Sequence, residues 1–324
     1  MAESQSVVLK AVSRGLSIPW STSVAILQAA RPKQWTKNFI LFVPIIFAGK
    51  MTNPHLLFLT FISVIAFCLG SSAIYLLNDV IDREKDRLHP RKCKRPIASG
   101  RLSATTALLV AGFFAVTALL LALCVKASVA LILGVYLGIM LTYSYLLKDI
   151  VIIDIMTIAV GFVLRAIAGG LASACPVSGW FLLCTSFGAT FLAVEKRRHE
   201  LHSLSDSDQH RKVLAHYSKE FIDRIERIVI PGMLFCYISY AFLSYHGQWM
   251  LLAVPFVVYG VIRYEWLALN GNLTGSPEEV LLQDKPIQIS VILWLLTSMG
   301  VLYNLIPTWA EAMLRFLENF GGIL

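Results

Sequence analysis

The stretch Asn78–Gly100, NDVIDREKDRLHPRKCKRPIASG, gathers four acidic and seven basic residues into 23 positions between two apolar runs. Asn78, Asp82 and Asp86 stand at i, i+4 and i+8. On an α-helix they share one face over about two turns. Asp79 sits beside that row, with Asp82 as its i+3 neighbour. Carboxylates with one amide suit a hard divalent ion such as Mg²⁺. Such an ion keeps one or two carboxylates and takes its other ligands from water and substrate phosphate. Asn78, Asp79, Asp82 and Asp86 are therefore the expected metal ligands. The basic run behind them, Arg91, Lys92, Lys94, Arg95 and Arg101, suits phosphate oxygens. The chemistry to expect is a metal–diphosphate site at a membrane surface.

The elements that must position this row are membrane helices. Mean hydropathy is +0.69, 57% of the chain is hydrophobic and only 15% is charged. Water-soluble domains carry nearer a quarter charged residues. Several apolar runs approach or exceed about 18 residues, the length of a transmembrane helix. The expected fold is all-α and polytopic, with nine spans. They are Phe39–Ala48 (bent at Pro44), Leu56–Leu77, Ala104–Val125, Val129–Leu147, Ile150–Ala172, Trp180–Val194, Ile228–Tyr245, Met250–Leu269 and Pro286–Ile306. Residues 1–30 read as an interfacial segment, 31–307 as the membrane domain and 308–324 as a short tail. Met1–Pro19 has no apolar signal-peptide core.

Charge tests the topology. With nine spans, 24 of the 28 Lys and Arg residues fall on one side of the membrane. Lys and Arg favour cytoplasmic loops, so the N-terminus and the acidic row are expected at the cytoplasmic face. The formal charge of +8 then reads as topology, and nucleic-acid binding is not expected. The six cysteines are scattered, with no CxxC pair, and suggest neither a disulfide framework nor a zinc site.

Two charged residues lie inside the fifth span. Asp154 is about one turn in, and Arg165 is eleven residues further on a similar face. Such groups cost roughly 2.5–3.5 kcal/mol each at the centre of an isolated helix, so they face a cavity or a partner. Lys33 and Lys37 stand at i, i+4 before the first span. Glu195–Glu200 continues the sixth helix into a polar loop that could cap the site. No HExxH, GxSxG, P-loop or Rossmann glycine pattern appears, which leaves hydrolase and nucleotide-triphosphatase readings without support.

Asn78-Asp79-x-x-Asp82-x-x-x-Asp86 at the end of the second of nine spans resembles the UbiA-type intramembrane prenyltransferase superfamily. So does the continuation through Arg95-Pro96-Ile97-Ala98-Ser99-Gly100. A narrower set of residues is similar to the polyprenyl-phosphate phosphoribosyltransferase branch, of decaprenyl-phosphate type. These are Arg31–Asn38, Tyr143-Ser144 with Lys148, Asp154 with Leu164–Gly170, Glu195–Glu200, Arg263-Tyr264 and Gly275–Glu279. That branch implies transfer of phosphoribose from phosphoribosyl pyrophosphate to a polyprenyl phosphate, with release of diphosphate, in cell-envelope biogenesis. The wider superfamily implies the alternative, prenyl transfer from a prenyl diphosphate to an aromatic or lipophilic acceptor. Its second Asp-rich motif is reduced here to Asp154, with Asp149 off the same face. On this resemblance Asp79, Asp82, Asp86 and Asp154 are the expected catalytic carboxylates, with Mg²⁺ as cofactor. Lys33, Lys37, Arg95, Lys148, Arg165, Lys196 and Arg197 are the expected phosphate ligands. The polyprenyl tail would lie among membrane lipids in a groove between helices, and homo-oligomerisation is left open.

Overall fold

The computed structural model describes residues 20–90, 92–202, 217–244, 247–270, 280 and 283–309. Residues 1–19, the loop residues Arg211 and Lys212, the stretch Pro277-Glu278-Glu279 and everything from residue 310 lie outside that set. Trp20–Ala30 forms α1. Pro32–Phe42 is a 3-10 helix that leads into a short α2, Val43–Phe47. Then follow α3 (Pro54–Ile81), α4 (Arg83–Leu88), α5 (Ala104–Val125), α6 (Ala127–Tyr145) and α7 (Ile153–Ala172). The second half comprises α8 (Gly179–His202), α9 (Lys219–Leu243), α10 (Gly247–Met250), α11 (Val254–Leu269) and α12 (Lys285–Leu302). Among the described residues there is no strand.

The helix starts carry their own caps. Asn53 Oδ1 accepts the His55 and Leu56 N–H groups at the head of α3. Ser103 does the same for Thr106, Ser218 for Phe221 and Asp284 for Ile287. Each satisfies an N–H that the helix itself leaves without a partner.

Seven helical runs among the described residues are long and apolar enough to cross a bilayer: α3, α5, α6, α7, α9, Gly247–Leu269 and α12. Their outer faces are apolar. On α5, Leu109, Phe113, Val116 and Leu120 are exposed, and the buried residues are all alanine: Ala107, Ala111, Ala118 and Ala122. Lipid offers no hydrophobic drive between helices, so small side chains that let backbones approach do the packing. The chain is an integral membrane protein.

The first expected span is not one helix. Pro44 stands in the first turn of α2, and an α-helix running through it would lose a hydrogen bond and clash with the carbonyl four residues back. The sixth, α8, is 24 residues long and apolar only as far as Val194; Glu195–Glu200 continues it as a polar turn. A central core joins the 3-10 helix to α3, α6 and α7 through Leu41, Phe67, Leu133, Tyr136 and Ala168. The 3-10 helix lies very close to α7: a Cβ on Gly169 would stand 2.2 Å from the Leu41 carbonyl oxygen.

Candidate active site

The acidic row spans a break. α3 ends at Ile81, Asp82 is the joint and Asp86 belongs to α4. The row keeps its alignment because the i→i−4 ladder runs through the joint. Asp82 N–H donates to Asn78 O at 2.9 Å and Asp86 N–H to Asp82 O at 2.8 Å.

Three cations meet these acids. Asp79 Oδ1 accepts from Arg31 Nη2 at 2.5 Å and from Arg95 Nη1 at 3.1 Å. The same Arg95 nitrogen lies 2.6 Å from Asp86 Oδ2, and Lys148 Nζ lies 2.6 Å from Asp82 Oδ1. Asp79 Oδ2 is buried and has no hydrogen-bond partner among the described residues. The basic run is partly scaffold for this arrangement. Arg87 Nε donates to Ala98 O, and Arg101 reaches Gln28 Oε1 and Lys94 O, which folds the loop over so that Arg95 points back at the row.

A cavity of about 240 Å³ opens between the 3-10 helix, α3, α6, α7 and α8. Asn78, Lys37, Arg165 and Lys196 line it, together with Arg31, Gln34, Ser71, Tyr75 and Tyr143. Lys33 does not. The expected i, i+4 pairing of Lys33 with Lys37 assumed an α-helix, whereas a 3-10 helix repeats every three residues. Arg31, Gln34 and Lys37 therefore share the cavity face. Trp35, Asn38 and Leu41 turn inward, with Trp35 Nε1 donating to Ser72 Oγ at 3.0 Å. Lys33 and Phe39 look outward.

Arg31 was missed by the sequence reading. Its backbone is left-handed, with φ 54° and ψ 64°. That conformation costs an L-residue about 1–2 kcal/mol. The bond to Asp79 and the stacking of its guanidinium 5.0 Å from the Tyr75 ring hold it there. The available signal was the period of three that starts at Arg31-Pro32.

Arg165 sits deep. Its Nε donates to Asn38 Oδ1 at 2.7 Å, Nη1 to Gly161 O at 2.9 Å and Nη2 to Tyr136 OH at 2.8 Å. Its guanidinium lies 4.5 Å from the Tyr136 ring centroid. Asn38 in turn reaches Cys68 Sγ, so Arg165 is anchored ten residues before Asn78 on α3, about 15 Å along the axis.

Asp154 and Arg197 meet away from the row. Arg197 Nε donates to Asp154 Oδ2, and Arg197 also pairs with Glu200. Tyr217 OH donates to Asp154 Oδ1 and accepts the Ile152 N–H, at a backbone φ of 70°. Burial, and then the hydrogen bond to Asp154, push the Tyr217 phenol above its usual range. Neither Asp154 nor Arg197 lines the cavity; of the Glu195–Glu200 turn, only Lys196 reaches it. Arg198 braces α8 to its neighbours. It pairs with Glu226 and Asp223 on α9 and stands 3.9 Å from Glu265 on α11. A second cavity, about 450 Å³, opens beside that brace.

All the donors in the acidic row are oxygen, which suits Mg²⁺-type ions over softer metals. The UbiA prenyltransferase family profile matches residues 37–281. This chain belongs to that family. The UbiA-family chain is 32% identical over 295 residues to a decaprenyl-phosphate phosphoribosyltransferase from Mycolicibacterium smegmatis, covering 86% of this chain and 92% of the relative. It is 34% identical over 297 residues to the protein of the same name from Corynebacterium glutamicum, covering 88% and 89%. A solved UbiA homolog from Archaeoglobus fulgidus, bound to GPP and Mg²⁺, superposes with a TM-score of 0.65 at 19% identity, over 86% of this chain and 99% of that one. The fold is shared, and this chain is a membrane-embedded transferase.

Proposed function

We propose that this chain transfers 5-phosphoribose from phosphoribosyl pyrophosphate to a polyprenyl phosphate of decaprenyl type, releasing diphosphate. The observation that carries this reading is the cation content of the cavity. Arg31, Lys37, Arg165 and Lys196 line it, and Asn78 leads from it into the acidic row. The two substrates bring three anionic groups: a diphosphate, a 5-phosphate and a lipid phosphate. A prenyl diphosphate brings one. Relatives named decaprenyl-phosphate phosphoribosyltransferase, similar over nearly their whole length, support the same choice. So does Asp154, the one acid where a second Asp-rich motif would stand, which is taken up by Arg197 and Tyr217.

The reaction forms a bond from a lipid-phosphate oxygen to ribose C1 and breaks the C1–O bond to diphosphate, which leaves with the electron pair. Asn78, Asp79, Asp82 and Asp86 would hold Mg²⁺. The orphaned Asp79 Oδ2 and the all-oxygen donor set fit it. When bound, the ion neutralises charge developing on the leaving diphosphate. Arg165, stacked on Tyr136 and fixed by Asn38, Gly161 O and Tyr136 OH, keeps one N–H on each Nη for a phosphate at the far end of the cavity. Lys37 and Lys196 screen the repulsion between the two phosphate-bearing substrates. The acceptor is already anionic, so no general base is needed.

Nine crossings fit the charge asymmetry if the 3-10 helix with α2 and α8 complete the bundle. The N-terminus and the acidic row then face the cytoplasm. The test uses purified chain with Mg²⁺, labelled phosphoribosyl pyrophosphate and polyprenyl phosphate. Label enters the lipid. Turnover of a prenyl diphosphate with an aromatic acid instead, and no label in lipid, would overturn the reading.

A further inference from the structure

Asp79, Asp82 and Asp86 carry three negative charges, and Arg31, Arg95 and Lys148 bring three positive ones into direct contact with them. The pairing is local and largely enclosed: Lys148 and Asp82 are 7% and 16% exposed, and Asp79 is 1% exposed. A divalent ion approaching this cluster meets a formal sum of zero. It must either displace a cation or arrive with extra anionic charge. A diphosphate supplies both. It gives the ion additional oxygen ligands, and it gives the displaced ammonium and guanidinium groups a new charge-assisted partner.

We propose that Arg31, Arg95 and Lys148 are exchange cations: they neutralise the acidic row, then move to the donor's diphosphate, so that metal and donor bind together and not metal first. The three groups are built for this in different ways. Lys148 is a compact charge on a flexible stem, delivered by the 3-10 turn Leu147–Asp149 that ends α6. Arg95 touches Asp79 and Asp86 through Nη1 alone, so the rest of its fork is not committed to the row. Arg31 lines the cavity while it holds Asp79, so it already borders the space the donor would fill. The inference rests on the assignment of the metal to the acidic row made above. It does not depend on whether the donor is a phosphoribosyl or a prenyl diphosphate.

The probe is Mn²⁺, followed by its electron paramagnetic resonance signal. It is titrated into the purified full-length chain in detergent, with and without inorganic diphosphate, after correction for Mn²⁺–diphosphate complexes in solution. Wild type is expected to bind Mn²⁺ at least about tenfold more tightly when diphosphate is present. Lys148→Met, which leaves Asp82 uncompensated, is expected to tighten binding of Mn²⁺ alone by about tenfold and to shrink the coupling. Lys148→Arg restores the wild-type pattern. Arg95→Gln moves in the same direction as Lys148→Met and serves where that variant fails to fold. Equal Mn²⁺ affinity with and without diphosphate in wild type overturns the proposal. So does unchanged or weaker binding of Mn²⁺ alone in Lys148→Met and Arg95→Gln. Absence of Mn²⁺ binding in both conditions overturns it together with the metal assignment. Label entering lipid in the transfer assay alongside equal affinities removes the exchange and leaves the donor choice standing. Coupling without label in lipid does the reverse.

Discussion

Arg197 Nε lies 2.8 Å from Asp154 Oδ2, and both side chains are fully shut from solvent. Tyr217 closes the other oxygen of the same carboxylate at 2.7 Å. The pair ties the first turn of α7 to α8 and gives Asp154 a complete set of partners without a substrate. Asp154→Ala leaves the buried Arg197 guanidinium with Glu200 as its ionic partner and should lower stability by roughly 1–3 kcal/mol. Thermal unfolding in detergent reads this. Adding Arg197→Met to Asp154→Ala should recover much of the loss, because a buried pair replaced whole is often near neutral. A stable Asp154→Ala protein with no turnover would instead return Asp154 to the metal.

Asp82→Asn keeps the shape of the joint between α3 and α4 and removes its charge. Transfer of label to lipid should fall by about 10²–10³-fold, the scale of losing one electrostatic contact to developing charge. The melting temperature should also fall, since the enclosed Lys148 ammonium keeps a side-chain amide oxygen but loses its ionic partner. Normal turnover in this variant would take the metal away from the row.

Gly169→Ala puts a methyl group where the Leu41 carbonyl already stands, at 2.2 Å. The 3-10 helix must move off α7, at a cost of about 1–3 kcal/mol for overpacking. Asn38 moves with it and loosens Arg165. The expected result is a lower melting temperature together with a raised KM for the donor. A lower melting temperature with an unchanged KM would separate Arg165 from donor binding.

Tyr217→Phe should cost stability in a pH-dependent way. The phenol's folded pKa is raised, so its contribution is fully present below the unfolded value of about 10 and is lost as pH rises toward the folded one. The stability gap between wild type and Tyr217→Phe should be constant from pH 6 to about 9 and narrow above about 10. A gap that widens at high pH would contradict the hydrogen bond to Asp154.

Much of this was readable beforehand, for a physical reason. α3, α5, α6, α7, α9 and α12 announce themselves because a membrane helix satisfies its own backbone and needs only length and apolar side chains. The acidic row is legible because its spacing is local. The 3-10 helix was not, since its proline-punctuated, half-polar run carries no α-helical period. That one misreading paired Lys33 with Lys37, where the cavity face carries Arg31, Gln34 and Lys37. Arg197 looked like a phosphate ligand for a similar reason: the charge is visible in sequence, but its partners, Asp154 across α7 and Glu200 on its own helix, depend on packing. The Arg198 brace draws Glu226 and Glu265 from helices far away in the chain, and no spacing rule connects them.

Because Pro32–Phe42 has one face on the cavity, one on the core and one outward, its length is constrained more tightly than its composition. Adding or removing a single residue near Lys33 would rotate everything downstream by about 120°. An insertion would swing Lys37 toward the bundle interior and a deletion would turn it outward, and either would turn Asn38 and Leu41 to a face unsuited to them. Point substitutions on the outer face, at Lys33 or Phe39, disturb none of that. This segment acts as a reading frame in three dimensions, tolerant of exchange on one side and intolerant of any shift in count.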